Sequence, residues 1–199
     1  LFLADSLINL ARETTDSAKK KALFNEALQV ATKYRNLKPD DFYAVNLVGK
    51  AALGAQAFNE AEQAFTRVLE LKPDYCYAMV NLSKTYIAGE KWAAAEKISR
   101  KAIQCAPRLN AGYESLGYSL QKQKKLEEAL EVYKRAQSIK QSTSIQKLID
   151  VVAENIRRRD ENRSMDEAER AQQEAAEAEA LRIAEEEAKL EEWEKSQDD

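Results

Sequence analysis

Residues that commonly carry chemistry or interrupt helices are rare or missing in this 199-residue chain. There is no histidine, which removes the commonest acid–base group and metal ligand. Only 5 glycines and 3 prolines occur, less than half of average usage. The motifs G-x-x-x-x-G-K-[ST], G-x-G-x-x-G and G-x-S-x-G are all missing. These absences predict long helices with short turns, in a protein that is not an enzyme and holds no metal or cofactor.

The two cysteines, Cys76 and Cys105, have no metal-binding spacing such as C-x₂-C and suggest no disulfide framework. Both fall where a helix needs a small apolar residue, which predicts buried free thiols. No apolar run reaches the ~18 residues that a membrane span requires. The sequence therefore predicts no membrane span and favours the cytoplasm. Because the chain begins at Leu1 rather than Met, a segment upstream is left open.

Charge is unevenly distributed along the chain. The net charge is −3, but residues 157–199 carry 8 basic and 16 acidic side chains, and residues 1–156 have a net charge of +5. A mildly basic body with an acidic tail is a real asymmetry. The positive charge of the body is too small to indicate nucleic acid, so a nucleic-acid partner is not expected.

A period of 34 residues runs through most of the chain. Four series share this period: the dipeptides Lys38-Pro39, Lys72-Pro73 and Ala106-Pro107; the large apolar residues Phe24, Phe58, Trp92 and Leu126; the alanines Ala27, Ala61, Ala95 and Ala129; and Leu37, Leu71, Cys105 and Ile139. Coincident series at one period indicate a repeated supersecondary unit.

Each unit is predicted to be a pair of antiparallel helices. In the second unit, an amphipathic stripe is formed by Val45, Val48, Gly49 and Ala52, and a second stripe by Ala61, Phe65, Val68, Leu69 and Leu71. Pro73 ends the second helix because it lacks the amide that the helix needs. The recurring alanine marks the closest approach of the helices, the recurring large residue fills the gap near the turn, and Gly49 and Gly117 allow further close approach.

These residues resemble the tetratricopeptide repeat family, whose 34-residue pattern places a small residue, an alanine, an aromatic residue and a terminal proline in this order. The resemblance implies an all-α fold, a right-handed superhelical array of about four helix-turn-helix units over residues 1–141. The units span approximately 1–41, 42–75, 76–109 and 110–143. The first departs from the pattern at Thr14-Thr15-Asp16-Ser17, which predicts a helix near 1–13, a polar loop, and a long second helix capped by Asp16 or Ser17. In the fourth, Gln141 replaces the terminal proline, which allows the helix to continue.

Residues 142–156 are predicted to form a capping helix that closes the array. Its apolar stripe is Ile145, Leu148, Ile149, Val152 and Ile156, and Ser142 or Ser144 is the predicted N-cap. Residues 157–199, rich in Glu, Ala and Arg, continue it as a long charged helix supported by i, i+4 pairs such as Glu154–Arg158. The heptad-spaced alanines Ala168, Ala171, Ala175 and Ala178, loosely continued by Leu181, Ala188 and Trp193, suggest a coiled coil. The alternative is a solvated single helix. Separately, Arg157, Arg158, Arg159 and Arg163 are a candidate contact for phosphates or an anionic membrane surface, but a solvated junction is favoured because acidic residues lie among them.

The resemblance also implies a ligand groove on the concave face, lined by the first helix of each unit. Positions two, five, nine and twelve place there Tyr43, Asn46, Lys50 and Leu53; Tyr77, Val80, Lys84 and Ile87; and Ala111, Glu114, Tyr118 and Gln121, with Asn81 nearby. Equivalent lysines in adjacent units suit an acidic peptide or helix. The alternative is that the lysines are solvated and the tyrosines pack between units.

One branch of the family clamps chaperone C-terminal carboxylates with, in order, Lys and Asn on one first helix, Asn on the next, and Lys and Arg on the third. The equivalents here are Asn46, Lys50, Asn81, Ala111 and Ser115, of which only Asn81 matches, so this partner is disfavoured. The leading hypothesis is a non-enzymatic scaffold that binds a protein segment in its groove. The alternatives are an assembly protein that forms homo-oligomers through the C-terminal helix or by end-to-end stacking, and a tail that competes with ligand for the basic body.

Overall fold

The computed structural model describes residues 1–197, with the side chains of residues 1–187 and of Lys189. These residues form helices and no strands. The helices are α1 (Phe2–Glu13), α2 (Ser17–Leu37), α3 (Phe42–Gly54), α4 (Phe58–Leu71), α5 (Cys76–Ala88), α6 (Trp92–Cys105), α7 (Asn110–Lys122), α8 (Leu126–Ile139) and α9 (Thr143–Gln197). The chain divides into two bodies, Leu1–Ala153 and Glu154–Asp199.

In the first body, each helix from α1 to α8 packs against its neighbours in sequence, and each first helix also contacts the first helix of the next unit, as α1 does with α3, α3 with α5 and α5 with α7. The helix pairs α1–α2, α3–α4, α5–α6 and α7–α8 therefore stack in chain order, which is the predicted helical repeat. Helices α3, α5 and α7 begin at the predicted unit starts, and α4, α6 and α8 begin at members of the recurring large apolar series. The recurring alanines are fully buried, as their predicted role requires.

The turn inside the second, third and fourth units has one repeated geometry. A residue with left-handed backbone occupies the same place in each: Gln56 (φ 66°), Glu90 (φ 57°) and Lys124 (φ 62°). At the first turn, the amide of Ala57 donates to the carbonyl of Ala52 at 2.8 Å, and the amide of Gln56 donates to that of Leu53 at 3.2 Å. This is the Schellman pattern that closes a helix C-terminus. It reverses the chain, so that the first and second helices of a unit pack against each other.

The contact between the two helices of a unit involves a complementary pair of residues 16 positions apart. The pairs are Gly49–Phe65, Ser83–Ser99 and Gly117–Tyr133. A Cβ added at either glycine would lie 2.6 Å from a carbon of the facing ring, so only glycine fits. In the third unit the two hydroxyls hydrogen-bond at 2.5 Å instead. The predicted role of Gly49 and Gly117 is confirmed, and the third unit replaces ring-on-glycine packing with a buried polar contact.

Neighbouring units are also joined by a repeated ion pair. Lys91 Nζ lies 2.7 Å from Glu62 Oε2, and Lys125 Nζ lies 2.9 Å from Glu96 Oε2, 34 residues later in both partners. Glu96 also accepts hydrogen bonds from Arg100 at 2.9 Å and from Gln123 at 2.9 Å. Burial alone would raise the pKa of Glu96, but the hydrogen bonds from its three donors outweigh burial and lower it to about 2.

The two ends of the array differ. At the start, Asp16 caps α2 by accepting a hydrogen bond from the Lys19 amide at 2.7 Å, as predicted. Helix α1 leaves three large apolar side chains exposed, Phe2 by 89%, Leu3 by 56% and Leu10 by 50%.

At the other end, the helix does not continue through Gln141. Helix α8 ends at Ile139 and α9 begins at Thr143, and the Ser142 hydroxyl accepts a long hydrogen bond from the Ile145 amide at 3.5 Å at the start of α9, as its predicted N-cap role requires. Ile145 and Val152 are buried, and the rest of the predicted apolar stripe is half-buried. The first turns of α9 therefore cover the fourth unit.

The second body is the remainder of α9, a helix whose described side chains from residue 161 onward are all exposed. The predicted pair Glu154–Arg158 forms at 2.8 Å, and Arg157 bridges to Glu154 at 2.5 Å. Arg163 lies 3.8 Å from Glu167, so acidic neighbours accompany the basic cluster. Whether this helix pairs with another stays a prediction, and the side chains of Ala188 and Trp193 in its proposed seam lie outside those described. No described helix combines the length and apolar character needed to cross a membrane.

Candidate functional site

The nine predicted groove residues all lie on the first helices α3, α5 and α7, of which α5 contacts the other two. They differ widely in exposure. Tyr43, Tyr77, Lys84 and Glu114 are exposed; Lys50, Asn81, Tyr118 and Gln121 are half-buried; and Asn46 is buried. The residues most available to a ligand are therefore Tyr43 of α3, Tyr77 and Lys84 of α5, and Glu114 of α7.

An aromatic cluster joins the second and third units at this surface. Tyr75 precedes α5, and its ring centroid lies 6.0 Å from that of Tyr77 and 5.5 Å from that of Phe42. Burial, and to a smaller degree the neighbouring phenols of Tyr43 and Tyr77, raises the pKa of Tyr75 above its ordinary value. The Lys72 ammonium lies 4.8 Å from the Phe42 ring centroid. We call Tyr43, Tyr75 and Tyr77 the tyrosine cluster.

Tyr75 was not among the predicted groove residues. It immediately precedes a first helix, whereas the predicted groove positions all lie within the first helices. The equivalent residues in the neighbouring units, Asp41 and Leu109, give no aromatic signal. Tyr77 also borders an open, mostly apolar depression together with Pro107 and Leu109.

Lys50 and Lys84 occupy equivalent places in the repeat but have different surroundings. Lys50 Nζ lies 3.0 Å from Asp5 Oδ1 of α1, and the Lys50 side chain is only 16% exposed. Its charge is therefore balanced inside the protein. One turn earlier, Asn46 is 3% exposed, and its Oδ1 accepts no hydrogen bond from the described part of the chain. Lys84 is exposed and is the groove lysine that a ligand can reach.

The fourth unit contributes a second aromatic contact. The rings of Tyr118 and Trp92 meet edge to face, with centroids 6.1 Å apart, and Lys122 lies 5.4 Å from the Tyr118 ring centroid. Tyr118 thus packs between units, the alternative considered for the groove tyrosines. Beneath it, the Tyr133 hydroxyl is buried; burial first, then Tyr118 and Glu114, raises the pKa of Tyr133 above its ordinary value.

Comparison with solved structures places this arrangement among helical repeat proteins. A crystal structure of MamA superimposes with a TM-score of 0.64 at 21% identity, over 72% of this chain and 84% of that one. The first TPR of Spaghetti (RPAP3), bound to the HSP90 peptide SRMEEVD, gives 0.56 at 18% identity, over 58% and 94%. The Sgt2 TPR domain from Aspergillus fumigatus gives 0.59 at 16% identity, over 61% and 82%.

This chain has the TPR fold. The all-helical architecture, the order of helix pairs and the superposition agree on this point. No protein-family profile and no curated protein sequence matches the chain. At identities below 25% the structural likeness concerns the TPR fold alone.

The positions equivalent to a chaperone carboxylate clamp are poorly placed in this TPR array. Asn46 and Ser115 are 3% and 4% exposed, and Lys50 is paired with Asp5. Asn81 is half-buried, and Ala111 carries no polar group. Lys50 is the single cation among these five positions, and Asp5 already balances its charge.

The prediction of buried free thiols is wrong. Cys76 and Cys105 form a disulfide with a Cα–Cα distance of 5.6 Å, and both residues are half-buried. They begin α5 and end α6, and the two helices of a TPR unit are antiparallel, so these ends lie side by side. Placing the cysteines on the repeat would have revealed the pair. Disulfides persist mainly in oxidising compartments, so the two cysteines give no support to a cytoplasmic location. The cytoplasmic location stays a prediction.

Proposed function

We propose that this chain is a non-enzymatic scaffold that binds a protein segment in the groove lined by its first helices. The observation that carries the proposal is the tyrosine cluster, in which Tyr43 is 39% and Tyr77 is 60% exposed on adjacent first helices. Tyrosines of this kind offer a large apolar area and a hydroxyl at low conformational cost, which suits a binding surface. The TPR of Spaghetti (RPAP3), which has the same fold, is bound to a peptide.

The chemistry of the surface suggests the kind of segment. Tyr77 and its apolar depression suit an aliphatic or aromatic side chain. Lys84 lies two turns further along α5 and suits a carboxylate of the same segment. Since Lys50 is balanced by Asp5, the acidic preference is local to the third unit and does not extend along the whole groove.

The test starts from peptides selected against the full chain from a random-sequence display library, with affinities measured by calorimetry. Tyr77→Ala and Lys84→Glu should each weaken the selected peptide by about tenfold or more, as expected for central contacts. Lys101→Glu is the matched control, because it makes the same charge change at an exposed site on α6. Unchanged affinity in both groove variants would remove the groove assignment.

The peptide SRMEEVD offers a second, direct probe. The TPR of Spaghetti (RPAP3) is bound to it, whereas this chain lacks most of the clamp residues. We expect no saturable binding of SRMEEVD to this chain. Saturable binding that is lost in an Asn81→Ala variant would contradict the exclusion of chaperone tails.

The second candidate function is self-assembly, favoured by the exposed apolar side chains of α1. Phe2, Leu3 and Leu10 are exposed at one end of the array, whereas α9 covers the other end. Assembly between arrays would therefore pair two α1 surfaces, and assembly through the C-terminal helix is the other route. Light scattering of the full chain, of a Leu3→Ser/Leu10→Ser variant, and of a chain shortened to end at Ile156 distinguishes the routes. A monomer in all three would eliminate this candidate.

A further inference from the structure

The third unit lacks the ring-on-glycine contact that joins the two helices of the second and fourth units. Where the others place a fully buried ring against glycine, the third places Ser99 against Ser83, both 0% exposed. Burying an aromatic side chain removes roughly 150–250 Å² of surface from contact with water, far more than burying a serine does. At this position the α5–α6 pair therefore buries less apolar surface than α3–α4 or α7–α8.

The same unit contains both cysteines of the chain. The Cys76–Cys105 disulfide joins the first residue of α5 to the last residue of α6 and spans 29 residues of sequence. At the equivalent positions the second unit has Phe42 and Leu71, and the fourth has Asn110 and Ile139. A covalent bond therefore closes the unit that lacks the aromatic contact.

We propose that the Cys76–Cys105 pair is a redox switch that controls the cohesion of the array. As a disulfide, it holds α5 and α6 together; as a dithiol, it lets the third unit open. A disulfide stabilises mainly by restricting the unfolded chain, and the restriction grows with the length of the closed loop. In a stacked array each unit contacts only its neighbours, so opening the third unit separates the second from the fourth. The switch acts on the array itself, whatever the groove binds.

The exchange needs a partner of the small-molecule disulfide class, such as oxidised glutathione. The thiolate of one cysteine attacks a sulfur of that disulfide, forming a mixed disulfide and expelling a thiolate, which takes up a proton. The thiolate of the second cysteine then attacks the protein sulfur of the mixed disulfide and expels the second external thiolate. The protein loses two electrons and two protons, and the external disulfide becomes two thiols. Both cysteines are half-buried, so an external reagent can reach them.

Hydrogen exchange of the full chain, read by mass spectrometry, tests the switch. The chain is equilibrated in glutathione buffers of varied ratio, and alkylation reports its thiol content. In the dithiol form, amides of α5 and α6 should exchange about tenfold or more faster than in the disulfide form, with a much smaller change in α3. A Cys76→Ser/Cys105→Ser variant should exchange like the dithiol form in every buffer.

A third variant, Ser83→Gly/Ser99→Phe, installs the ring-on-glycine contact of the second unit in the third. It should exchange slowly in α5 and α6 even when reduced. Equal exchange of the disulfide and dithiol forms of the native chain would overturn the proposal. So would a pair that stays oxidised in excess reduced glutathione, because it would be a permanent crosslink. An undiminished response in the Ser83→Gly/Ser99→Phe variant would overturn the link to weak packing.

Discussion

At the residue scale, three turns contain a non-glycine residue in an unfavourable left-handed backbone conformation. Gln56, Glu90 and Lys124 adopt left-handed backbone, which is unfavourable for residues with a Cβ because of its contact with the following carbonyl. All three side chains are exposed, so they contribute little packing there. The Schellman turn requires this conformation whichever residue occupies the position.

Gln56→Gly should therefore stabilise the array. Glycine removes the left-handed penalty but loses more entropy on folding, so the expected net gain is about 0.5–1 kcal/mol. Gln56→Ala is the matched control, because it keeps the Cβ and should give no such gain. The measurement is the free energy of unfolding from urea titration. A glycine variant no more stable than the alanine variant would show that the turn is not strained.

Glu96 should make stability depend on pH. Its folded pKa of about 2 lies below the ordinary 4.5, so its contribution is complete above about pH 4.5 and is lost as pH falls through about 2. Glu96→Gln should cost about 1–2 kcal/mol at neutral pH, because it removes charged hydrogen bonds, and should flatten the decline in stability below pH 4.5. Urea titrations at several pH values measure this.

The control for this experiment is Glu62→Gln. Glu62 makes the equivalent ion pair with Lys91 one unit earlier, but its side chain is 31% exposed against 16% for Glu96. It should change stability at neutral pH less than Glu96→Gln does. An identical slope in the native chain and the Glu96→Gln variant would disprove the assigned role.

At the element scale, the repeat was predictable because every unit solves the same packing problem. The buried alanines and the two glycines recur in the sequence for steric reasons, so their spacing reports their contacts directly. The state of Lys50 was not predictable in this way. Its partner Asp5 lies on α1, in the unit that departs from the repeat, and no periodic signal connects the two residues. Groove residues face solvent or ligand, so packing does not constrain them.

The ring-on-glycine contact gives a sharp prediction at this scale. Gly49→Ala would place a Cβ 2.6 Å from Cε1 of the buried Phe65 ring, and we expect a loss of about 1–3 kcal/mol from overpacking. In a Phe65→Ala background the same change should cost almost nothing, because the ring is gone. A double-mutant cycle by urea titration measures the coupling.

Gly89→Ala is the matched control for that cycle. Its added Cβ would meet nothing closer than the Thr85 carbonyl oxygen at 3.6 Å, and its backbone is not left-handed. It should leave stability unchanged or raise it slightly. If Gly49→Ala proved as harmless as Gly89→Ala, the ring contact would not limit the residue at that position.

At the scale of the whole molecule, the two ends of the described array differ in whether their apolar side chains are covered. The start exposes apolar side chains of α1, and the other end is covered by the first turns of α9. A stacked array needs polar caps at its ends to stay soluble and closed. The part of α9 before Glu154 belongs to the first body and serves as such a cap, whereas the rest forms a body of its own. The start of α9, with its buried side chains, therefore acts as a cap, whereas the exposed remainder of the helix does not.

Two adjacent valines of α9 test that division. Val152 is 0% exposed and Val151 is 51% exposed, so the same substitution compares cap and surface within one helical turn. Val152→Ala should destabilise the array by about 2 kcal/mol through lost burial and a residual cavity. Val151→Ala should change stability little, since alanine's higher helix propensity offsets the small loss of contact. Because the fourth unit depends on its cap, hydrogen exchange in α8 should accelerate in the Val152→Ala variant and stay unchanged in the Val151→Ala variant. Equal effects of the two substitutions on stability and exchange would mean that α9 does not close the array.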